Sequence, residues 1–352
     1  MTTTAAAQGP IGWRRLTEVT LVRHLLLAVL GGVVLLLLTE AVSPFRNLQI
    51  ASIAYTAIAA AGLTVLTGSS GQISLGQGAF MAVGAYSTAL LLNDQQWPLT
   101  LTLVAAVVVA AVVGAAVGAA GARLRGPYLA GATLAFAVGL PALADYQHLR
   151  STLGAANGLS VTVPPPPLSL GETFPLERWQ AWICCLALLI TLVLLANLGR
   201  SRVGRSFRAV RDDEIAAALA GVDVARTQVL AFVVSAACAG LAGGLLAMVN
   251  TLAAPGAFPL SLSLSLLTAV VLGGLGSLAG AVYGSILLVL LPSWSSSLAG
   301  SLSLSRNVYA NLPLAVYGVV LILVMLVFPT GLQGALRRLA ARLPPRPRSG
   351  RL

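Results

Sequence analysis

The sequence predicts an all-α fold, a polytopic transmembrane bundle of about ten spans that include short or broken helices, and three observations lead there. Of 352 residues, 57% are hydrophobic and only 9% are charged. Apolar runs recur at the length that a hydrocarbon core of about 30 Å demands of a helix, roughly 20 residues. Positive charge flanks those runs unevenly, which is how helical membrane proteins set their orientation. Such a chain satisfies its polar backbone within each helix and leaves the side chains to lipid or to one another.

The spans fall at 24–43, 49–67, 75–93, 99–121, 127–147, 179–198, 227–250, 263–276, 279–292 and 312–328, the eighth and ninth being short. A cytoplasmic segment 1–23 precedes the transmembrane domain 24–328, and an Arg-rich tail 329–352 follows it. With the N-terminus inside, Arg14, Arg15, Arg23, Arg123, Arg125, six Arg in the loop 199–226 and six in the tail from Arg337 to Arg351 are cytoplasmic, 17 in all. Only four, Arg46, Arg150, Arg178 and Arg306, lie outside. This asymmetry predicts an even number of crossings and two cytoplasmic termini. Trp97, Tyr146, Trp179, Trp182 and Trp294 fall at span ends, where an amphipathic ring prefers the interface. The run Leu25 to Leu38 behind Arg14, Arg15 and Arg23 is similar to a secretory signal, but nine further spans and Pro44 at the expected cleavage point favour an uncleaved first helix.

Absences narrow the function. The chain has no Lys, so neither a Walker A phosphate loop nor a Schiff-base lysine is possible. His24 and His148 sit on opposite sides of the membrane and cannot share a metal or a triad. Cys184, Cys185 and Cys238 lie inside spans without ligand spacing and read as small core residues. No catalytic residue, metal or cofactor is predicted. The net charge of +11 is explained by Arg flanking the spans, not by a nucleic-acid surface. Span interiors are almost free of charge, with Glu40 and Asp145 near span ends, whereas ion-coupled carriers usually keep ionisable groups at mid-membrane. Energy is therefore expected from another chain.

Small residues are the second signal. Gly114 and Gly118, Gly240 and Gly244, Gly276 and Gly280, and Gly280 and Gly284 stand four apart on predicted helices, which lets backbones approach. In GSSGQISLGQGAFMAVGAY, from Gly68 to Tyr86, polar and glycine residues cluster where a span begins. Backbone of that kind at membrane depth is tolerated where it lines a cavity or is buried in protein. Gln72, Ser74, Gly76, Gln77 and Gly78 are thus candidates for a translocation path, with helix capping as the plainer reading. A second break, LGGLGSLAG, runs from Leu272 to Gly280 and is loosely similar to the first. It adds Gly273, Gly274 and Gly276 to the path candidates.

At these residues a family becomes visible. GQISLGQGAFMAVGAY, RLRGPYLAGATLAF from Arg123 to Phe136, ANGLS at 156 to 160, GRSFRAVRDDEIAAALAGVDVARTQVLAF, VVLGGLGSLAGAVYG and PTGL at 329 to 332 occur in order. Together they closely resemble the permeases of bacterial branched-chain amino-acid ABC importers, nearest to their LivM-type transmembrane subunit. The resemblance implies a plasma-membrane transport subunit, not an enzyme, that pairs with a second homologous permease subunit, two cytoplasmic ATPase subunits and an extracytoplasmic solute-binding protein. Thr133 and Phe136, in the second motif, join the path candidates. Family members also carry urea and short amides, so branched-chain amino acids are one substrate class among related small solutes.

The loop 199–226 has its own physical reading. Asp212, Asp213 and Glu214 place acidic groups at a helix start, where free N–H groups and the helix dipole favour them. IAAALA supplies helix formers, Gly221 a left-handed C-cap, and Asp223 a cap for the next helix. Glu214, Ala216, Ala217 and Gly221 resemble the E-A-A-x3-G coupling pattern of ABC importer permeases, which implies a helix that fits a groove on the ATPase. Arg205, Arg208 and Arg211 recur every third residue, either to face that partner or to set topology alone. Outside, the loop from His148 to Arg178 carries Asn157 and Gly158, candidate contacts for the binding protein, and a stiff Pro164 to Pro167 spacer. The rival class is a secondary carrier or channel for a small neutral solute such as urea or amides, working alone.

Overall fold

The computed structural model describes residues 20–93, 97–124, 127–143, 146–167, 171, 174–301, 316, 318–319, 322–323, 326 and 331–335. Apolar runs form long helices because helical backbone groups find partners within their own segment, even where Pro141 and Pro292 lie inside one. They are α1 (Thr20–Ala41), α2 (Pro44–Leu63), α3 (Gln77–Asn93), α4 (Leu99–Gly121), α5 (Pro127–Leu143) and α6 (Leu176–Arg200). Two short helices follow, α7 (Arg202–Asp212) and α8 (Glu214–Leu219), and then α9 (Val224–Asn250), α10 (Leu260–Gly273) and α11 (Leu278–Ser301). Six helical stretches among the described residues are long and apolar enough to cross a membrane, and Leu30–Ala41 and Tyr128–Leu143 are shorter apolar helices. The chain is a helical membrane bundle. Most of the expected tenth span at 312–328, the tail 336–352 with its Arg, most of the segment 1–23, Arg125 and Asp145 lie outside the described residues.

The ninth expected span, at 279–292, is longer than its apolar run suggests. Helix α11 has 24 residues and carries Pro292 inside it, so Trp294 sits within the helix and not at its end. Small Ser and Ala residues after Pro292 continue the helix, which apolarity alone does not reveal.

Helix α9 is the axis of the bundle and packs against α2, α3, α4 and α6. Small residues make that possible. A Cβ on Gly84 of α3 would lie 2.0 Å from the Gly240 carbonyl oxygen, so the two backbones touch only because Gly84 lacks one, while a Cβ on Gly240 would meet Ala110 of α4 at 2.3 Å. The spaced glycines of the sequence are such contacts: Gly114 and Gly118 of α4 face Ala236 and Phe232, and Gly284 of α11 faces Ala269.

The ends of the helices sort onto two faces. On one, Leu159–Ser160 (β1) pairs antiparallel with Leu252–Ala253 (β2), and Asn93 holds the neighbouring backbone by donating to the Ser160 carbonyl and accepting from Thr162 N–H. The loops after α3, after α5 and after α9, all expected on one side, thus meet. On the other face lie both glycine-rich breaks together with α7 and α8.

Candidate functional site

The site begins where α2 ends. Its last turn, Thr64–Ser69, widens into a π-helix, and residues 71–76 run irregularly before α3 starts at Gln77. Backbone groups of this stretch are satisfied by side chains and neighbouring carbonyls, as buried polar backbone requires. Leu75 N–H donates to Thr133 Oγ1 at 3.1 Å, Gly76 N–H to Ser74 Oγ at 3.2 Å, Gly78 N–H to Ser263 Oγ at 2.9 Å and Gln72 N–H to the Leu66 carbonyl at 3.1 Å. Thr133 Oγ1–H donates in turn to the Ala130 carbonyl, and Phe136 packs on Phe80 with ring centroids 5.0 Å apart.

Gln77, Ser74 and Thr133 are fully buried. Gln77 donates to the Ala59 carbonyl at 2.9 Å and accepts from Ser235 Oγ at 3.1 Å, which clamps α2, α3 and α9 together. Gln72 is buried and donates to Ser70 Oγ. Among the path candidates, Gln77 thus bonds other helices of this chain. Its amide is already occupied on both sides within this chain.

The two breaks adjoin. A Cβ on Gly68 would lie 2.2 Å from Gly276 N, and Gly276 and Gly274 have φ of +79° and +114°, backbone that favours glycine. A cavity of about 130 Å³ opens beside them, lined in part by Thr64, Ser69, Phe207, Arg208 and Gly276. Gly273 packs edge to edge on Gly280.

Helices α7 and α8 lie on this face. Ser201 caps α7 by accepting from Gly204 N–H, and α7 buries Gly204, Phe207 and Val210 while its Arg point elsewhere. Arg205 donates to the Arg200 carbonyl and Arg208 to the Gly199 carbonyl at 2.8 Å. Arg211 is exposed but reaches the bundle edge: Nη1 donates to the Gly68 carbonyl at 2.9 Å, while Nε and Nη2 hold Asp212 Oδ1. All three Arg are exposed, opposite the buried Gly204, Phe207 and Val210, and each also bonds a backbone carbonyl of this chain.

Helix α8 is closed at both ends. Asp213 alone is its N-cap, with Oδ1 accepting from Ile215 N–H at 2.8 Å and Ala216 N–H at 3.0 Å, whereas Asp212 ends α7. Gly221, at φ +84°, closes the other end as a Schellman turn: Val222 N–H donates to the Ala217 carbonyl and Gly221 N–H to the Ala218 carbonyl, both at 3.0 Å. Asp223 then caps α9 by accepting from Arg226 N–H, and Glu214 accepts from Gln228 of α9 at 3.1 Å. Ala217 faces the bundle and is buried, while Ala216 is exposed. Ile215 and Leu219, one turn apart, are 75% and 85% exposed. Sequence reasoning fixed on the acidic and small residues and passed over this pair, although two large aliphatic side chains at i and i+4 in an Ala-rich helix are a legible signal.

On the opposite face, Asn157 ends a 3-10 turn, Ala155–Asn157, and is exposed. Gly158, at φ +70°, is packed against Ala253 and Ala254, where a Cβ would lie 2.3 Å from the Ala253 carbonyl oxygen. Gly158 thus shapes the turn under β2 and is only partly exposed.

Among the described residues no cluster of His, Cys, Asp or Glu has the makings of a metal site. Fold and site together define a multi-pass membrane protein whose special feature is a capped, solvent-facing helix hung beneath two touching backbone breaks. The chain belongs to the family described as branched-chain amino acid transport system / permease component, whose model matches residues 48–328. Similar proteins include the high-affinity branched-chain amino acid transport system permease protein LivM of Escherichia coli K12, 32% identical over 65% of this chain and 58% of its own length. LivH of the same organism is 36% identical over 44% of this chain and 47% of its own, and BraD of Pseudomonas aeruginosa 34% identical over the same shares. The chain thus spans less than two thirds of the length of these relatives. No solved structure matches the chain.

Proposed function

We propose that the protein is a transmembrane permease subunit of an ATP-binding-cassette importer in the bacterial plasma membrane, which moves branched-chain or related small amino acids on energy from partner ATPases. The carrying observation is α8. A six-residue helix capped by two hydrogen bonds, closed by a Schellman turn and tied to α9 presents Ile215 and Leu219 to solvent at 75% and 85% exposure. A rigid apolar pair outside the spans suits insertion into a partner's groove, the mode in which an amphipathic helix uses i and i+4 anchors. Family membership supports an ATPase as that partner, and a second permease subunit beside this one.

In this reading the face with α7 and α8 is cytoplasmic, in keeping with the Arg around it. The β1–β2 face with exposed Asn157 receives the solute-binding protein. Closure of the ATPases moves α8, and the breaks at 64–76 and 274–277 shift between two arrangements, giving alternating access. The polar and small residues around Gln72, Ser74, Gly76, Gly78, Thr133, Phe136, Gly273, Gly274 and Gly276 are where the path is expected to change shape.

Proteoliposomes test this reading. The chain reconstituted with its partner permease, ATPases and binding protein is expected to accumulate leucine only with ATP. Leucine uptake by the isolated chain under an ion gradient, unaffected by ATP and partners, would overturn it in favour of a stand-alone carrier.

A further inference from the structure

Only one side chain joins the α7–α8 corner to the glycine-rich breaks by a described hydrogen bond, and it is Arg211. Its Nη1 donates to the Gly68 carbonyl at 2.9 Å, while Nε and Nη2 grip Asp212 Oδ1 at 2.9 and 2.7 Å. Its stem lies on Gly71, where a Cβ would sit 2.9 Å from Arg211 Cγ, and Gly71 itself has φ +76°. Gly68 in turn rests on Gly276, so the same carbonyl-bearing residue touches the second break.

The element that Arg211 holds is unusual. Thr64–Ser69 is a π-helix, a turn with one residue more than α-geometry wants, and such turns are rare outside functional positions. Its packing is incomplete. Thr64 is 1% exposed, its hydroxyl has no hydrogen-bond partner, and it lines the cavity of about 130 Å³ between the π-turn, α7 and Gly276. A π-turn beside a cavity has room to move, and close-packed neighbours elsewhere do not.

We infer that Arg211 is a positioning residue that transmits displacement of α8 to both breaks, by holding the π-turn at the Gly68 carbonyl. It sits next to the extended hinge residue Asp213, at φ −160° and ψ 112°, so motion of α8 reaches it without crossing another element. The guanidinium fork suits this task because it binds a carboxylate and a carbonyl at once in fixed geometry. A Lys ammonium in the same place is a single point charge and cannot keep both contacts in that geometry. The inference rests on the importer reading and adds the route by which the energy travels.

The test uses the complete complex in nanodiscs and proteoliposomes, with leucine as the probe and uptake per ATP hydrolysed as the readout. Arg211→Lys and Arg211→Met are expected to retain the ATPase on purification while uptake per ATP falls at least tenfold, with no rescue by Lys. Amide exchange over residues 64–76 of the wild-type complex is expected to change between ATP-bound and nucleotide-free states, and that measurement needs no variant to fold. Arg211→Lys within twofold of wild type, or exchange over 64–76 indifferent to nucleotide, overturns the inference. A wild-type complex that moves no leucine on ATP removes the importer reading and the inference with it. Transport by the wild type with an unaffected Arg211→Lys removes the inference alone.

Discussion

Truncation of the exposed pair on α8 gives the sharpest quantitative expectation. Ile215→Ala with Leu219→Ala removes the carbons beyond Cβ from side chains that are 75% and 85% exposed and therefore contribute little to the fold of this chain. At about 0.8 kcal/mol per buried methylene, each truncation is worth about 2.4 kcal/mol if a partner covers the side chain entirely. With roughly half of that surface covered in a groove, the pair contributes about 2.4 kcal/mol, or about fiftyfold in Kd. Ala is a strong helix former, so α8 persists in the double variant. The assay is titration of purified ATPase subunits onto the permease in nanodiscs. Affinity within threefold of wild type, with the variant folded, refutes the assignment of this pair as the docking anchor.

Gly221→Pro is expected to leave membrane insertion intact and abolish substrate-stimulated ATP hydrolysis, because Pro fixes φ near −65° where the native value is +84° and removes the N–H that donates to Ala218. Gln77→Leu should lower stability in detergent by about 1 kcal/mol, since it strips the Ala59 carbonyl of a donor and Ser235 Oγ of its acceptor. The double change with Ser235→Ala should recover part of that loss in a thermal-unfolding assay. Gly84→Leu should prevent recovery of folded protein, given the 2.0 Å approach to the Gly240 carbonyl, whereas Gly131→Leu, with nothing within 4 Å, should be tolerated on size-exclusion chromatography.

Much of the bundle is legible in the chain because apolar length speaks directly to membrane thickness. Helix α4 coincides with the expected span 99–121, and α9 starts three residues before the expected 227. Legibility failed where polarity changed without a change of conformation. The Ser-rich end of α11 continues as helix past 292, and the last turn of α2 widens into a π-helix, which no residue pattern announces. The caps of α8 are legible for a local reason, since Asp213 and Gly221 act on backbone two to five residues away.

The fate of Gln77 and Arg211 was not legible. Each is a polar side chain near a glycine-rich stretch, and the sequence holds no information on which distant carbonyl will lie within its reach. Gln77 meets Ser235, 158 positions away, and Arg211 meets Gly68, 143 away. By itself the sequence determined the class, the helices and the capped segment from Asp213 to Gly221, because hydrophobic length, propensity and capping are local properties. Only the tertiary structure decided that the two breaks touch and that Arg211 reaches the Gly68 carbonyl of one of them. That decision depends on which backbones pack closely enough to bring residues far apart in the chain within hydrogen-bonding distance.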